Sequence, residues 1–387
     1  MSDFPHVRVA GDARQRGRRN GGQARERIHI SLEAYERAFA HHAAWGWPRA
    51  VREAKAFEEL IAAFDSACLE EMQGIAEGAA VGFEDILALN VRTEIMFSAQ
   101  ARRALGESGP GAAECTSFCV LPELSATGHL LVGQNWDWLT HCLDTVVVLE
   151  AEQPGRPNFV TVVEAGLLAK AGMNSAGLGL ATNALVSAGD RGEPGVPYHV
   201  MLRSLLDAES VTDAIVTLQR ATRSSSANYL IAHADGVAVD VEGAPGDFGR
   251  LCLLTPEGGL LLHTNHFLSE RDGLRDLSLY AMPDSVARLV RLRSLVETSP
   301  RPFSVQRLQE MLADHVGHPS GICFHADPRR APVEEATIAS LIMDPADRRI
   351  WLAAGQPCSA AYREVDYSGF LGKAAGTGES GGDREDA

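Results

Sequence analysis

Cys115 stands where the hydrophobic period of the chain switches from helix to strand. Upstream, apolar residues recur at mixed three and four spacing: Ile28, Leu32, Tyr35 and Phe39, then Phe57, Leu60, Ile61 and Phe64, then Leu69, Met72 and Ile75. This spacing predicts helices up to about Arg103. Residues 106–114, including Gly106, Gly109, Pro110 and Gly111, have loop composition. From Cys115 onward, β-branched or alternating runs at 116–121, 130–135, 145–150 and 159–163 predict strands separated by turns.

Later segments follow the same logic. Residues 166–173 and 178–182 read as two strands joined at Asn174-Ser175, followed by helices at 197–205 and 211–221. Strands are predicted at 228–233, 237–242 and 259–264, helices at 285–296 and 305–314, and closing strands at 340–344 and 349–353. This order lacks the strand–helix alternation of a doubly wound parallel sheet; antiparallel sheets layered with helices satisfy it.

The local chemistry at the switch is specific. A cysteine that opens a strand directly after an exposed, glycine-rich loop can be cut free as a new amino terminus. Its α-amine then lies beside its own thiol, so one residue supplies both base and nucleophile. Cys119 falls on the same strand face and reads as a buried structural thiol.

Composition excludes other classes. A net charge of -16 lacks the basic stripe that a nucleic-acid binder needs. No apolar run approaches the roughly 20 residues required to span a bilayer, so no membrane partner is expected. The first residues, Met1 to His6, carry no basic region with an apolar core, and no secretory signal is read there. Seven scattered cysteines in a chain with ample core fit reduced thiols and a cytoplasmic setting. The acidic tail, residues 372–387, reads as disordered.

Rival chemistries find weaker support. Asn174-Ser175-Ala176-Gly177 is out of register with the Gly-x-Ser-x-Gly elbow of serine hydrolases and reads as a hairpin turn. Gly177-Leu178-Gly179 lacks the third glycine and the following helix of a dinucleotide site, so no cofactor is expected. Neither His263-Thr264-Asn265-His266 nor Cys115 with Cys119 has zincin or paired Cys-x-x-Cys spacing, and no metal is expected. A Cys–His pair of Cys115 with His263, His266 or His325 stays open.

Five ordered motifs complete the reading: Glu114-Cys115-Thr116-Ser117-Phe118, Gly133-Gln134-Asn135-Trp136-Asp137-Trp138, Glu164-Ala165-Gly166, Asn174-Ser175-Ala176-Gly177 and His263-Thr264-Asn265-His266. From about Gly11 to about Cys358 the chain resembles the acyl-coenzyme A:6-aminopenicillanic acid acyltransferase (isopenicillin-N acyltransferase) family. Those are self-processing enzymes of the N-terminal nucleophile hydrolase superfamily. Residues 89–94 also look like the family's stretch before its processing loop.

The resemblance implies an α+β fold, a four-layer αββα sandwich with a helical amino-terminal segment. It implies cleavage between Glu114 and Cys115, leaving an α chain of residues 1–114 associated with a catalytic β chain, residues 115–371. By motif, Cys115 is the nucleophile, Asp137 orients the amine or anchors a polar substrate group, Asn265 helps form the oxyanion hole, and Ser117 assists maturation. The substrate implied is a small amide or acyl thioester, resolved by water or by an amine. Two positions depart from the family. Glu114 replaces the glycine of penicillin-making relatives. Phe324 replaces the arginine of their Ser-Ile-Cys-Arg pattern, whose role is lost or falls to His325 or a distant basic group. The alternatives are an uncleaved Cys–His amidase and a non-catalytic, uncleaved binding relative.

Overall fold

The computed structural model describes residues 3–105, 114–270, 273–330 and 334–372. Residues 106–113 of the expected loop and 373–387 of the expected acidic tail lie outside the described residues. The strands, in chain order, are β1 (His6–Ala10), β2 (Glu114–Val120), β3 (Leu131–Leu139), β4 (Val146–Glu152), β5 (Phe159–Glu164), β6 (Ala171–Asn174), β7 (Leu178–Ala184), β8 (Ala227–His233), β9 (Ala238–Gly243), β10 (Leu251–Leu254), β11 (Leu260–His263), β12 (Glu335–Asp344), β13 (Arg349–Ala354) and β14 (Arg363–Asp366). The helices are α1 (Ala13–Gln23), α2 (Arg25–Ala43), α3 (Trp47–Ala54), α4 (Glu58–Ala79), α5 (Phe83–Asn90), α6 (Arg92–Ala104), α7 (Tyr198–Leu205), α8 (Val211–Arg220), α9 (Ser278–Ala281), α10 (Ser285–Thr298), α11 (Val305–Leu312) and α12 (Ser368–Leu371).

The strands form two sheets. One has eight, ordered β1-β4-β5-β6-β7-β8-β9-β10, and the other six, ordered β11-β2-β3-β12-β13-β14. Among the strands of the described residues only β1 and β4 pair in parallel; the remaining ladders are antiparallel. The sheets stack face to face. Ser117 Oγ on β2 donates to Asn183 Oδ1 on β7 at 2.6 Å, and Gln134 Oε1 on β3 accepts from the Thr182 amide at 2.8 Å. Helices close both outer faces. Leu292, Val296, Leu308 and Leu312 of α10 and α11 pack on Phe118, Val120, Leu131 and Ile342. On the other side the guanidinium of Arg203 (α7) lies over the Phe159 ring (β5), and Arg203 shares Glu71 of α4 with Arg16 of α1. This is the expected αββα order. No helix among the described residues is long and apolar enough to cross a membrane.

The amino-terminal segment departs from an all-helical reading, because β1 forms the edge of the larger sheet. Its cause is visible in His6-Val7-Arg8-Val9, a two-residue alternation that buries Val7 and Val9. The strand expected from residue 166 starts only at Ala171. Gly166 adopts φ +95°, and the Leu167 amide closes a turn onto the Glu164 carbonyl. The short strands β10 and β14 were also outside the sequence expectation.

The helical segment is bonded to the rest through buried polar contacts. Glu164 at the end of β5 accepts from Arg92 Nη2 at 2.6 Å and from Tyr35 Oη at 2.7 Å, and Trp138 Nε1 donates to Tyr35 Oη. All four side chains are buried, so separating residues 1–105 would strand a carboxylate and a guanidinium.

Helices α1 and α4 touch backbone to backbone through Gly17 and Gly21 on one and Gly74 and Gly78 on the other. A Cβ at Gly74 would lie 2.3 Å from the Arg14 carbonyl oxygen. Gly74→Val should therefore prise the pair apart and cost about 1–3 kcal/mol, typical of overpacking. Chemical denaturation compared with wild type checks it.

Candidate active site

The site is built where a strand stops short. β11 ends at His263, opposite Ser117 of β2. Further along β2, the N–H and C=O of Cys115 have lost the ladder partner that a longer β11 would give, and buried main-chain groups need one. Side chains supply it. Asn265, two residues past the end of β11, accepts the Cys115 N–H on Oδ1 at 2.6 Å. Arg288, from α10, donates Nη1 to the Cys115 carbonyl at 2.8 Å and Nη2 to Asn265 Oδ1 at 2.9 Å.

The surroundings fix the orientation of the Asn265 amide. Two donors face its oxygen, while Nδ2 donates to the Ala184 carbonyl at 2.9 Å. Its main chain is held as well, with the amide on Ser285 Oγ at 2.7 Å. In the continuous chain Asn265 thus meets Cys115 as an acceptor, while the expected oxyanion role calls for a donor. One Nδ2 hydrogen has no bond among the described residues.

Strand alternation sorts the other candidates. Cys115 pairs with Trp136 and Ser117 with Gln134, and these side chains face the eight-stranded sheet. Asp137, paired with Glu114, projects from the opposite face, towards α10. Its Oδ1 accepts from Thr337 Oγ1 at 2.5 Å, and its Oδ2 has no hydrogen-bond partner among the described residues. Burial lifts this carboxyl to about 7, against the pull of Arg288 and Thr337. Its carboxylate lies across the sheet from the thiol, but its main-chain N–H faces the Cys115 sulfur.

The thiol itself is 2 % exposed, and burial pushes its pKa up. Lys170 acts most strongly in the other direction. This residue follows the Gly166 turn and is 5 % exposed, with Nζ 4.8 Å from the centroid of the Trp136 ring and 5.4 Å from that of Tyr198. Burial lowers its ammonium to about 8, and the Cys115 sulfur opposes that shift. Cys119, further along the same face, is also pushed up by burial, and acidic Asp240 and Glu123 add to the effect. The two thiols therefore differ in their charged neighbours: Lys170 and Arg288 pull the Cys115 thiol down while the Asp137 carboxylate raises it, whereas Cys119 has carboxylates alone.

The histidines are engaged elsewhere. His263 contacts Glu242 Oε1 at 2.9 Å and the Thr264 carbonyl at 2.8 Å. Burial works to lower its pKa, but Asp240 and Glu242 raise it overall. His266 Nδ1 lies 2.7 Å from Ser285 Oγ, and burial takes it down to about 4. His325 turns towards Cys323, Cys358 and His315. Of the candidates for the family arginine's place, the distant basic group, Arg288, is the one bonded to Cys115. Asn174–Gly177 is the turn between β6 and β7, as its pattern predicts.

The sequence reading missed Lys170, Arg288 and Asn183. Asn183 accepts from Ser117, and its own Nδ2 has no partner among the described residues. Arg288 lies in a helix whose pattern gives no hint of what its buried face meets. Lys170 left a signal: a cation inside the apolar run 165–173.

The chain is 28% identical over 289 residues to the 40 kDa form of acyl-coenzyme A:6-aminopenicillanic-acid-acyltransferase from Emericella nidulans, covering 74% of this chain and 75% of that protein. Solved structures similar to it include a conjugated bile acid hydrolase from Clostridium perfringens, with TM-score 0.45 and 13% identity over 66% of this chain and 93% of the other. Another is penicillin V acylase from Agrobacterium tumefaciens, with TM-score 0.43 and 14% identity over 66% and 86%. The sequence pattern of one family matches residues 125–359, beginning after Cys115 and taking in Asp137 and Asn265. With more than half of its length matched, the chain is an enzyme of the acyl-coenzyme A:6-aminopenicillanic acid acyl-transferase family.

Proposed function

We propose that the protein is a cytoplasmic, self-cleaving amide hydrolase or acyltransferase whose nucleophile is Cys115. The observation that carries this reading is the cradle on that one residue: N–H on Asn265, carbonyl on Arg288, and sulfur beside Lys170 and the Asp137 amide. The buried main chain needs its two partners whatever the side chain does, but a merely structural cysteine requires neither a cation nor an amide at its sulfur.

Maturation starts with the Cys115 sulfur attacking the Glu114 carbonyl carbon. The C–N bond breaks, the nitrogen takes a proton, and a thioester forms. The Asp137 N–H, opposite Glu114 in the ladder, is suited to meet the oxyanion. Ser117, two residues along the thiol face, assists through its hydroxyl. Water then hydrolyses the thioester, releasing the Glu114 carboxylate and restoring the thiol beside the α-amine freed by the shift, whose pKa near 8 makes part of it a base close to neutral pH. Asn265 Oδ1, already on this nitrogen, would hold the amine with its lone pair turned to the thiol. The uncommitted Nδ2 hydrogen of Asn265 would serve the substrate oxyanion, and Asp137, ionised above about pH 7, would supply negative charge from behind the sheet. The fragments 1–114 and 115–371 remain joined through β1 and the Glu164 contacts.

The fungal relative is named for an acyl-coenzyme A and the amine of 6-aminopenicillanic acid. Carried over, this supports a small acyl thioester or amide as donor and water or an amine as acceptor. Seven unpaired cysteines suit a reducing compartment.

Denaturing mass spectrometry tests the reading. Wild-type protein should give two chains, the second starting at Cys115 and gaining an acyl group from a short acyl thioester. A full-length chain that still hydrolyses amides would instead favour a Cys–His pair with His263 or His266. A full-length chain that takes no acyl group would favour a binding protein.

A further inference from the structure

Four side chains on the far side of β12 from the nucleophile converge without any local motif. They are His315, Cys323, His325 and Cys358, whose ligand atoms all lie within 4.8 Å of one another. His325 Nε2 is 3.0 Å from His315 Nε2, 3.5 Å from Cys323 Sγ and 3.5 Å from Cys358 Sγ. A tetrahedron built on zinc–sulfur bonds of about 2.3 Å and zinc–nitrogen bonds of about 2.0 Å has edges of about 3.3–3.8 Å. The three edges at His325 lie close to that range.

We propose that these four residues form a structural Cys2His2 site for a divalent zinc-class cation. The donor set suits such an ion: two soft thiolates and two imidazoles, with no carboxylate in the set that would favour calcium or magnesium. Binding turns two thiols into thiolates and releases two protons. No zincin or Cys-x-x-Cys spacing marks these residues in the sequence, because three come from the loop after α11 and the fourth from the turn after β13.

The site also has a structural task. His315, Cys323 and His325 bracket a loop whose backbone is tied to the strands behind the nucleophile. The carbonyls of Leu312 and Ile322 both accept from Asn135 Nδ2 at 2.8 Å. The Phe324 amide donates to Thr337 Oγ1 at 2.9 Å, and Thr337 Oγ1 in turn donates to Asp137. A cation holding this loop to Cys358 would brace the wall on which Asn135 and Asp137 rest. The proposal is independent of whether the Glu114–Cys115 bond is cut.

The test uses the whole protein as purified, stripped of metal under a thiol reductant and then titrated with cobalt(II) and zinc(II). Wild type should bind one equivalent of cobalt with the visible bands of tetrahedral, thiolate-ligated ions, which zinc bleaches. Native mass spectrometry should show one zinc, and zinc should raise the unfolding temperature. His315→Ala and Cys358→Ser alter exposed positions and should each weaken binding by more than the roughly 10–100-fold cost of losing an outer partner. Cys115→Ala should bind as wild type does. The proposal is overturned by wild type that takes up no tetrahedral cobalt after reduction, including protein purified with a Cys323–Cys358 disulfide. It is equally overturned by a spectrum that survives Cys358→Ser or vanishes in Cys115→Ala.

Discussion

Purified Cys115→Ala protein will remain one uncut chain and will turn over neither amides nor thioesters above background. Cleavage and catalysis in the proposed mechanism share a single nucleophile, so one substitution removes both. The loss in turnover should be on the order of 10⁶-fold, as when a sole nucleophile is deleted. The substitution keeps Cβ and the strand, and it leaves the Asn265 and Arg288 bonds to the main chain available. Folding should therefore survive, as a single cooperative unfolding transition would demonstrate. Cys119→Ala is the matched control, because Cys119 shares the same strand face and is fully buried. Its thiol sits near carboxylates, which disfavour a thiolate, so that variant should still be cut and active. Cleavage at Glu114–Cys115 in the Cys115→Ala protein would refute the self-cleaving reading.

The two parts of the problem were unequally legible in the sequence. Strand alternation and helix spacing are local, and they placed nearly every element of the two sheets and their helical covers. β1 escaped because its alternation is only five residues long and precedes a helical segment. Cys115, Asn265 and Asp137 stand out in the sequence as candidates through motifs, but their orientation does not. Which face a side chain takes depends on register with a partner strand, and register is a long-range property. Thus Asp137 proves to lie across the sheet from the thiol, presenting its N–H rather than its carboxylate. Arg288 and the cluster around His325 were invisible for the same reason, since tertiary contacts alone assemble them. Lys170 was nearer to legibility. The chain holds only three lysines, Lys55, Lys170 and Lys373, among 35 basic residues, and one stands in an apolar run. A residue type that the surface scarcely uses was placed in the core.

That placement gives the second large effect. Lys170→Met should cut kcat/KM at neutral pH by about 10–10³-fold, the reach of one adjacent opposite charge on a pKa of one to three units. The sign follows from the ionic states. Lys170 carries its charge below about pH 8 and is then the strongest influence pulling the thiol down against burial. Methionine fills a similar volume without charge, so burial acts on the sulfur unopposed at that side and its pKa rises further. The limb of the kcat/KM profile that reports thiol ionisation should accordingly move to higher pH. A merely structural lysine would alter the unfolding temperature but leave that limb in place. Activity should also recover in part as pH is raised on the variant, since more thiolate forms there without help. In the wild type, deprotonation of Lys170 above about pH 8 withdraws the same support, so the gain from added thiolate should flatten where the variant's still climbs. A variant profile that superimposes on the wild type after scaling would assign Lys170 to packing against Trp136 and Tyr198 alone.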